Sequence, residues 1–591
     1  MIKKLVLLEN VFQAKEYLKN LSKFKNCTPI SFNFNVENLL AKNNIQFKNQ
    51  GDYETPSLYN GISTFSRKLT ENISKKYDLT YREISLFSLF YYKIYTSIAY
   101  FKKHLTLLEE IIKKERPQEI IIFKIKTDQF LEKETLYYIA KSVFGGKITT
   151  FNYIFPLKKD IREKSYIKFI SLLQKKYSKI RLNLTKKKDK KIFISGGKLY
   201  FKSITDSLIK NKKYKLFNFD SSLRKSYFSN NKYISFYEFG GEKNAYSLKF
   251  EEKIYDFMKF LENEKIGNEL KFEKNLNILL KHIIKNNFKK IIPKIEESYQ
   301  LFKKEKIDLL LLTEEDAPFS KIMVKFAKKF DIPSIVLLHG IPAGEIMFGT
   351  PEASYFLVFG EKIKAWFLKN QKRYKKSKTK VEVVGCPRYD LFKENLNFSK
   401  SKQILYAMEV APPLERVADT HFSQKNQEDA LKMIIQTLKK DFPKYHLIFK
   451  ARPKWDLIGL PEKICKKENF HNFKVLETGN NTDLINSSDL VVINHTTMGL
   501  EALILGKPVI SVSFKEFDFV NPYKNSSLMD ISYNRMQFKN SVEKILKQKK
   551  DVKSKQKENL AKFVLLDKKS TKRAVNFINS ILNVKLPSTR Y

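Results

Sequence analysis

The chain has little cysteine, no long uninterrupted apolar run and no Asp-x-Asp pair, and each shortage narrows what it can do. Cys27, Cys386 and Cys465 are odd in number, far apart in 591 residues and without Cys-x-x-Cys spacing. That argues against a disulfide framework or a zinc site and points to a reducing cytosol. The most apolar segment, Ile84 to Phe101, is interrupted by Lys93 and by several Tyr and Ser residues, so it reads as a buried or interfacial helix. The start, MIKKLVLLENVFQAKEYL, has an apolar stretch of only a few residues and reads as a first strand, not a signal peptide. Acid is scarce as well: 63 Asp and Glu face 111 Lys and Arg, a formal charge of +48. The excess is mostly lysine spread along the whole chain, without the basic-aromatic clustering of a nucleic-acid face, so no nucleic-acid partner is expected. A diffuse basic surface still favours anionic partners, including nucleotide-activated donors and peripheral contact with the inner membrane face.

What is present is enough apolar residue, 42%, for several cores. Short apolar runs alternate with helical patterns, the signature of α/β layers. Leu5 to Leu8, the helix Val11 to Leu21, a strand near Thr28 to Phe32 and the run Ile120 to Phe123 make an additional N-terminal Rossmann-like α/β module over residues 1–180. KKKDKK at 186–191 reads as a solvated linker, with a membrane-facing patch as its alternative. A first doubly wound domain follows over residues 186–380, opening on Ile192 to Ser195 and Gly196-Gly197. Glycine there either lets the backbone approach a ligand or makes a tight turn. The very basic stretch Lys369 to Lys380 suggests a boundary, so the strand Val381 to Val384 is taken as the head of a second doubly wound domain, 381–546. A basic tail with a terminal helix occupies 547–591.

Polar turns after buried strands supply the candidate site, because open α/β sheets bind ligands beyond the carboxyl ends of their strands. Ile307 to Leu312 runs into Glu314-Glu315-Asp316, and Ser334 to Leu338 ends at His339-Gly340. The acids could cap the next helix or serve as acid or base. His446 to Phe449 ends at Lys450-Ala451-Arg452-Pro453, two cations at a strand terminus that are either solvated or beside a phosphate. Thr482 to Val512 reads as helix, strand, polar turn Asn494-His495-Thr496-Thr497, helix, strand. The first N–H groups of such a helix can hold an anion. Thr497 and Glu501 share a helix face, which puts a carboxylate one turn below that seat, where ribose hydroxyls can donate to it. A plain βαβ unit whose Thr only caps a helix is the alternative.

The order His339-Gly340, GCPRYD (Gly385 to Asp390), KARP (Lys450 to Pro453) and HTTMGLEALILGKPVI (His495 to Ile510) resembles the two-domain glycosyltransferase fold GT-B. The chain is similar to capsule and surface-polysaccharide glycosyltransferases, CDP-glycerol glycerophosphotransferases, polysialyltransferases and UDP-N-acetylglucosamine 2-epimerase over roughly residues 191–546. The resemblance implies two Rossmann-like doubly wound domains facing a cleft. The donor would sit mainly on the C-terminal domain, and the His-Gly loop would face the reacting sugar. It places His495, Thr496 and Thr497 at donor phosphate, Glu501 at ribose, and Lys450 and Arg452 beside the phosphates. The catalytic base would be His339 or one of Glu315 and Asp316, with His339 otherwise only orienting a sugar hydroxyl. It implies a nucleotide-sugar as substrate, no separate cofactor, a glycan or lipid-linked acceptor and metal-independent chemistry. The absence of Asp-x-Asp agrees with the last, and Glu314-x-Asp316 leaves magnesium disfavoured, not excluded. This chain departs from the family at Arg452-Pro453, where many relatives have His-Pro, and at His495-Thr496-Thr497, where many have serines. A polyol-phosphate transferase, a sugar-nucleotide epimerase and a non-catalytic nucleotide- or glycan-binding protein are the alternatives.

Overall fold

In the computed structural model the short apolar runs become strands, and the strands group into three parallel sheets. The structure describes residues 3–54, 61–77, 79–125, 135–153, 180, 189–196, 198–218, 234–236, 245–263, 273–341, 351–374, 378–392, 402–408, 424–452, 459–514, 523–524, 526–547 and 549–583. Lys186 to Lys188 of KKKDKK, Gly197 and the loop Glu409 to Phe422 lie outside the described residues.

The first unit begins with β1 (Lys4–Leu8), β2 (Cys27–Ser31) and β3 (Lys48–Asn49). A small antiparallel pair, β4 (Thr80–Tyr81) and β5 (Ile84–Ser85), stands apart. Then β6 (Glu119–Ile125) and β7 (Lys147–Tyr153) complete a sheet of order β3-β2-β1-β6-β7. The run Ile84 to Phe101 forms β5 and the start of the helix Tyr91–Glu115, whose Ile94, Ile98, Phe101 and Leu105 are buried. No described helix is long and apolar enough to cross a membrane.

The middle sheet holds β8 (Lys190–Ser195), β9 (Tyr214–Asn218), β10 (Ile234–Phe236), β11 (Leu309–Leu312), β12 (Ser334–Leu337), β13 (Tyr355–Val358) and β14 (Lys380–Val383). Its order is β10-β9-β8-β11-β12-β13-β14, all parallel. The third sheet holds β15 (Gln403–Ala407), β16 (His446–Lys450), β17 (Phe473–Leu476), β18 (Leu490–Ile493), β19 (Val509–Val512) and β20 (Asp530–Ser532). They are ordered β17-β16-β15-β18-β19-β20. Both sheets wind outward in both directions from their first strand, which puts a topological switch point between β8 and β11 and another between β15 and β18. Two doubly wound α/β domains therefore follow the N-terminal unit.

Two expectations about the chain path need correction. The strand assigned to the head of the third unit pairs instead with β13, Tyr355 opposite Lys380 and Val358 opposite Val383, so β14 closes the edge of the middle sheet. The crossing to the third sheet follows it, through the short 3-10 turn Pro387–Leu391. Nor is the terminal helix a loose tail. Ser570–Asn583 returns to the middle sheet, where Ala574, Ile578 and Leu582 join the core made by Ile192, Ile194, Leu309, Leu311 and Leu337. The two crossings are tied together by Asp390, which accepts from the backbone N–H of Ser570 at 3.0 Å and of Thr571 at 2.7 Å. Two N–H groups at the head of a helix are thereby satisfied. Gly385, at φ +85°, makes room for that helix, since a Cβ there would lie 2.3 Å from Ser570 Oγ.

Candidate functional site

The polar turns expected from the sequence do end the strands, and hydrogen bonds hold them in shape. After β12, His339 Nδ1 lies 2.7 Å from the carbonyl of Thr313, which follows β11. A carbonyl only accepts, so Nδ1 carries a proton, and in the neutral ring the lone pair is then on Nε2. The ring lies 5.4 Å, centroid to centroid, from Tyr200, on the helix Lys198–Ile209 that follows β8. Gly196, at φ +142°, owes its glycine to Thr313: a Cβ would stand 2.1 Å from Thr313 Oγ1. The glycine turn thus serves the close approach of β8 and β11.

Across from these residues, β18 ends at Asn494, which is buried and fully engaged. It accepts from Tyr406 Oη at 2.7 Å, donates to the Val512 carbonyl at 2.9 Å, and its own carbonyl accepts from Ser511 Oγ at 2.7 Å. His495 is buried, with Nε2 3.1 Å from Ser513 Oγ. Thr496 takes the Met498 N–H on its hydroxyl at 3.3 Å, and its carbonyl accepts from Tyr523 Oη at 2.9 Å. Thr497 occupies the cap position of the helix Met498–Ile504 but makes no side-chain capping bond. Its methyl faces the middle domain: a Cβ on Gly340 would lie 3.6 Å from Thr497 Cγ2. The His-Gly turn and the Thr-Thr turn therefore meet across the cleft.

Glu501, one turn into that helix, is buried and pairs with Arg388 of the crossing turn. Burial pushes its carboxyl above the usual range, while the Arg388 guanidinium pulls the other way. Tyr200 joins this group. Burial raises its phenol, Arg388 and Arg452 lower it, and Glu501 and Cys386 raise it. All four side chains are thus within electrostatic reach of Tyr200. Burial pushes the Cys386 thiol itself up to about 12.

Glu315, Asp316 and Lys450 are the remaining candidates. Glu315 is buried, and its two oxygens accept from the backbone N–H of Glu352 at 2.9 Å and of Ala353 at 3.0 Å. Burial, with Asp316 alongside, pushes its carboxyl up to about 8. Burial raises Asp316 to about 7 against the pull of Lys321. The cap of the following helix, Pro318–Lys329, falls on Ala317, which makes no side-chain capping bond. Lys450 donates to the carbonyls of Ala451 at 2.8 Å and Glu477 at 3.0 Å, which turns it toward the end of β17. Among the described residues no group of three His, Cys, Asp or Glu side chains could hold a metal ion.

Similar solved structures include UDP-GlcNAc 2-epimerase from Neisseria meningitidis bound to UDP-GlcNAc, 13% identical with a TM-score of 0.42, covering 66% of this chain and 100% of that one. The MnaA–UDP co-structure from S. aureus is 14% identical with a TM-score of 0.42, covering 68% of this chain and 99% of that one. A UDP-glucosyltransferase from Polygonum tinctorium is 11% identical with a TM-score of 0.41, covering 67% and 99%. No protein-family model and no curated protein sequence matches the chain. The chemistry therefore rests on this chain's own residues.

Of the sequence candidates, the structure brings His339 to Tyr200 and Glu501 to Arg388, keeps Arg452 within electrostatic reach of Tyr200, and sets Thr497 against Gly340. It holds Glu315 on the Glu352-Ala353 backbone, Lys450 on carbonyls and His495 behind the turn. Tyr200 carried no signal in the sequence. Arg388 lies in GCPRYD, a segment that carries the resemblance without a site role for this residue, 113 residues from its partner.

Proposed function

We propose that the chain is a glycosyltransferase that moves a sugar from a nucleotide-sugar to a surface-polysaccharide or lipid-linked glycan acceptor. The observation that supports this reading best is the meeting of two turns. On one side stands a histidine whose Nδ1–H is tied to a backbone carbonyl, and on the other a Thr-Thr helix start with a buried carboxylate one turn below. In this reading His339 Nε2 takes the proton of an acceptor hydroxyl as its oxygen bonds to the sugar C1. The bond from C1 to the donor phosphate breaks at the same time, and its electron pair leaves on the nucleoside diphosphate. Thr496, Thr497 and Arg452 stand where that charge develops. Glu501 Oε1 is held by Arg388, and its other oxygen is the acceptor assigned to ribose. With its Nδ1 proton held by the Thr313 carbonyl, the ring presents Nε2 as the nitrogen that takes the acceptor's proton.

Two measurements test this. Calorimetric titration with UDP-, CDP-, GDP- and CMP-linked compounds should find one nucleotide whose affinity falls in Thr497→Ala and Glu501→Ala. Unchanged affinity in both variants would remove the donor assignment. His339→Ala should keep that affinity and lose transfer by roughly 100- to 10,000-fold, the usual range for a general base. Full transfer in that variant would dismiss the base.

A further inference from the structure

The N-terminal unit touches both doubly wound domains, and the two contacts are unlike. Its contact with the middle domain is broad and apolar. Phe87 and Phe90 pack on Phe288 at ring-centroid distances of 5.3 and 5.4 Å, Tyr81 lies 4.8 Å from Phe250, and Tyr77 lies 5.9 Å from Phe257. Beside these rings the buried Glu296 accepts from Tyr81 Oη at 3.0 Å and from Arg82 Nε at 2.9 Å and Nη2 at 3.1 Å. The buried aromatics on both sides belong to one continuous core, so the N-terminal unit and the middle domain move as one body.

The contact with the C-terminal doubly wound domain is narrow. Among the described residues Phe34, at the head of the helix Phe34–Lys42 that follows β2, is the one residue of the N-terminal unit in the buried core of Ile404, Tyr406, Leu431 and Leu460. One turn on, the buried Glu37 meets Lys463 at 3.2 Å, and Lys463 Nζ lies 5.6 Å over the Phe34 ring. Two close approaches frame them: a Cβ on Gly51 would stand 3.5 Å from Lys425 Cβ, and one on Gly459 would stand 4.0 Å from Asn38 Nδ2. Lys463 keeps 45% of its side chain exposed. One apolar plug with an ion pair that water can reach is the kind of contact that opens and recloses. Lys425 and Lys463 belong to the helices Gln424–Asp441 and Leu460–Lys467, which follow β15 and β16. The plug therefore grips the domain that carries Thr497 from a body that carries His339.

We propose that the N-terminal unit is a releasable clasp across the cleft: fixed to the middle domain, it grips the C-terminal domain through Phe34 and the Glu37–Lys463 pair. The grip and the meeting of Gly340 with Thr497 are present together, so the engaged clasp belongs to the closed cleft. For the domains to part and admit or release a substrate, Phe34 has to leave its seat while the aromatic contact with the middle domain stays. This role holds whichever reaction the cleft performs.

A disulfide trap across the cleft reads this without any ligand. Gly340→Cys and Thr497→Cys are combined in the full chain, since a Cβ on Gly340 would lie 3.6 Å from Thr497 Cγ2, within reach of a disulfide. Cys27→Ser is added because Cys27 is partly exposed, whereas Cys386 and Cys465 are buried. Bridge formation in oxidised glutathione is followed by intact mass after alkylation. We expect the parent to bridge, and Phe34→Ala and Lys463→Ala each to slow bridging at least threefold, because the closed arrangement is then less populated. A parent that forms no bridge, or a folded variant of either kind that bridges within threefold of the parent's rate, would overturn the clasp. Lys463 is half-exposed, so its variant stays informative should Phe34→Ala fail to fold. Hydrogen exchange separates release from damage. In both variants the helix Phe34–Lys42 should exchange faster while Tyr91–Glu115 keeps its native protection; lost protection in both helices would mean that the unit itself comes apart, and would overturn the fixed half of the proposal.

Discussion

Removing Arg388 should destabilise the cleft in a way that depends on pH and that removing Glu501 should not imitate. The two side chains are unequally buried, Arg388 with 20% of its surface exposed and Glu501 with 6%. In Arg388→Ala a buried carboxylate loses its counter-charge, and breaking a buried pair from one side costs about 3–5 kcal/mol while the survivor stays charged. Glu501 has an escape, because burial already holds its carboxyl above the ordinary value and the variant raises it further. For an acid whose folded pKa is raised, stability is complete below the unfolded value and is lost as pH rises through the folded one. The deficit should therefore be small at pH 5, about 1 kcal/mol for the lost charge-assisted hydrogen bond. Each pH unit between the native folded pKa of Glu501 and the variant's higher one adds about 1.4 kcal/mol, and nothing is added above the latter, so the deficit should grow with pH toward the about 3–5 kcal/mol of a broken buried pair. In Glu501→Gln the guanidinium left behind reaches water, and the cost should stay near 1 kcal/mol at every pH. Hydrogen exchange of the peptide spanning Leu490 to Val512, corrected for intrinsic rates from pH 5 to 8, reads these differences locally. A deficit in Arg388→Ala that is flat with pH, or matched by Glu501→Gln at pH 8, would mean that the variant leaves no uncompensated carboxylate at Glu501.

Gly385→Ala should lower the thermal midpoint, because φ +85° costs an L-residue about 1–2 kcal/mol and the new Cβ strikes Ser570 Oγ at 2.3 Å; an unshifted midpoint would mean the crossing adapts freely. Glu315→Gln turns an amide donor toward one of two backbone N–H groups and should cost about 1–3 kcal/mol. With Glu315 raised to about 8, its contribution to stability is whole below about pH 4.5 and fades as pH climbs through 8. The native midpoint should therefore decline between pH 5 and 9 more steeply than the variant's, and parallel profiles would exclude this role. Gly340→Ala meets Thr497 Cγ2 at ordinary contact distance and should leave nucleotide affinity intact. Gly340→Leu should hold the two turns apart and lower transfer on the order of 100-fold, with equal rates in the two variants as the contrary result.

Local order was legible where a short apolar run meets hard punctuation. Leu490 to Ile493, the four polar residues after it and the stop at Gly506-Lys507-Pro508 specify strand, turn, helix and strand without outside help, and the structure keeps that order. Sheet membership was not legible. Lys380–Val383 alternates charged and apolar residues as an edge strand does, yet nothing in four residues says which of two sheets it will edge, and the basic stretch before it suggested a boundary. The last helix shows its apolar positions Ala574, Ile578 and Leu582 plainly, but not the surface that receives them. Pairing across the cleft was the least legible of all. Arg388 and Glu501 meet only because two separate segments are brought together, and Tyr200 lies on a helix whose apolar pattern gives no reason to single it out. A charge pair between distant segments leaves no periodicity to read.

The return of the last helix has a mechanical consequence. One strand of chain between two bodies acts as a ball joint, while two strands fixed side by side act as a door's paired pins. Here the pins are the turn Pro387–Leu391 and the stretch leading into Ser570–Asn583, riveted to each other through Asp390. The motion left to the domains is a swing about the line through both, and the turns at His339 and Thr497 ride on opposite leaves. A protease cut between Phe563 and Ser570 would remove one pin without touching any residue of the cleft. The leaves would then be free to twist as well as swing, and activity would fall through lost alignment alone.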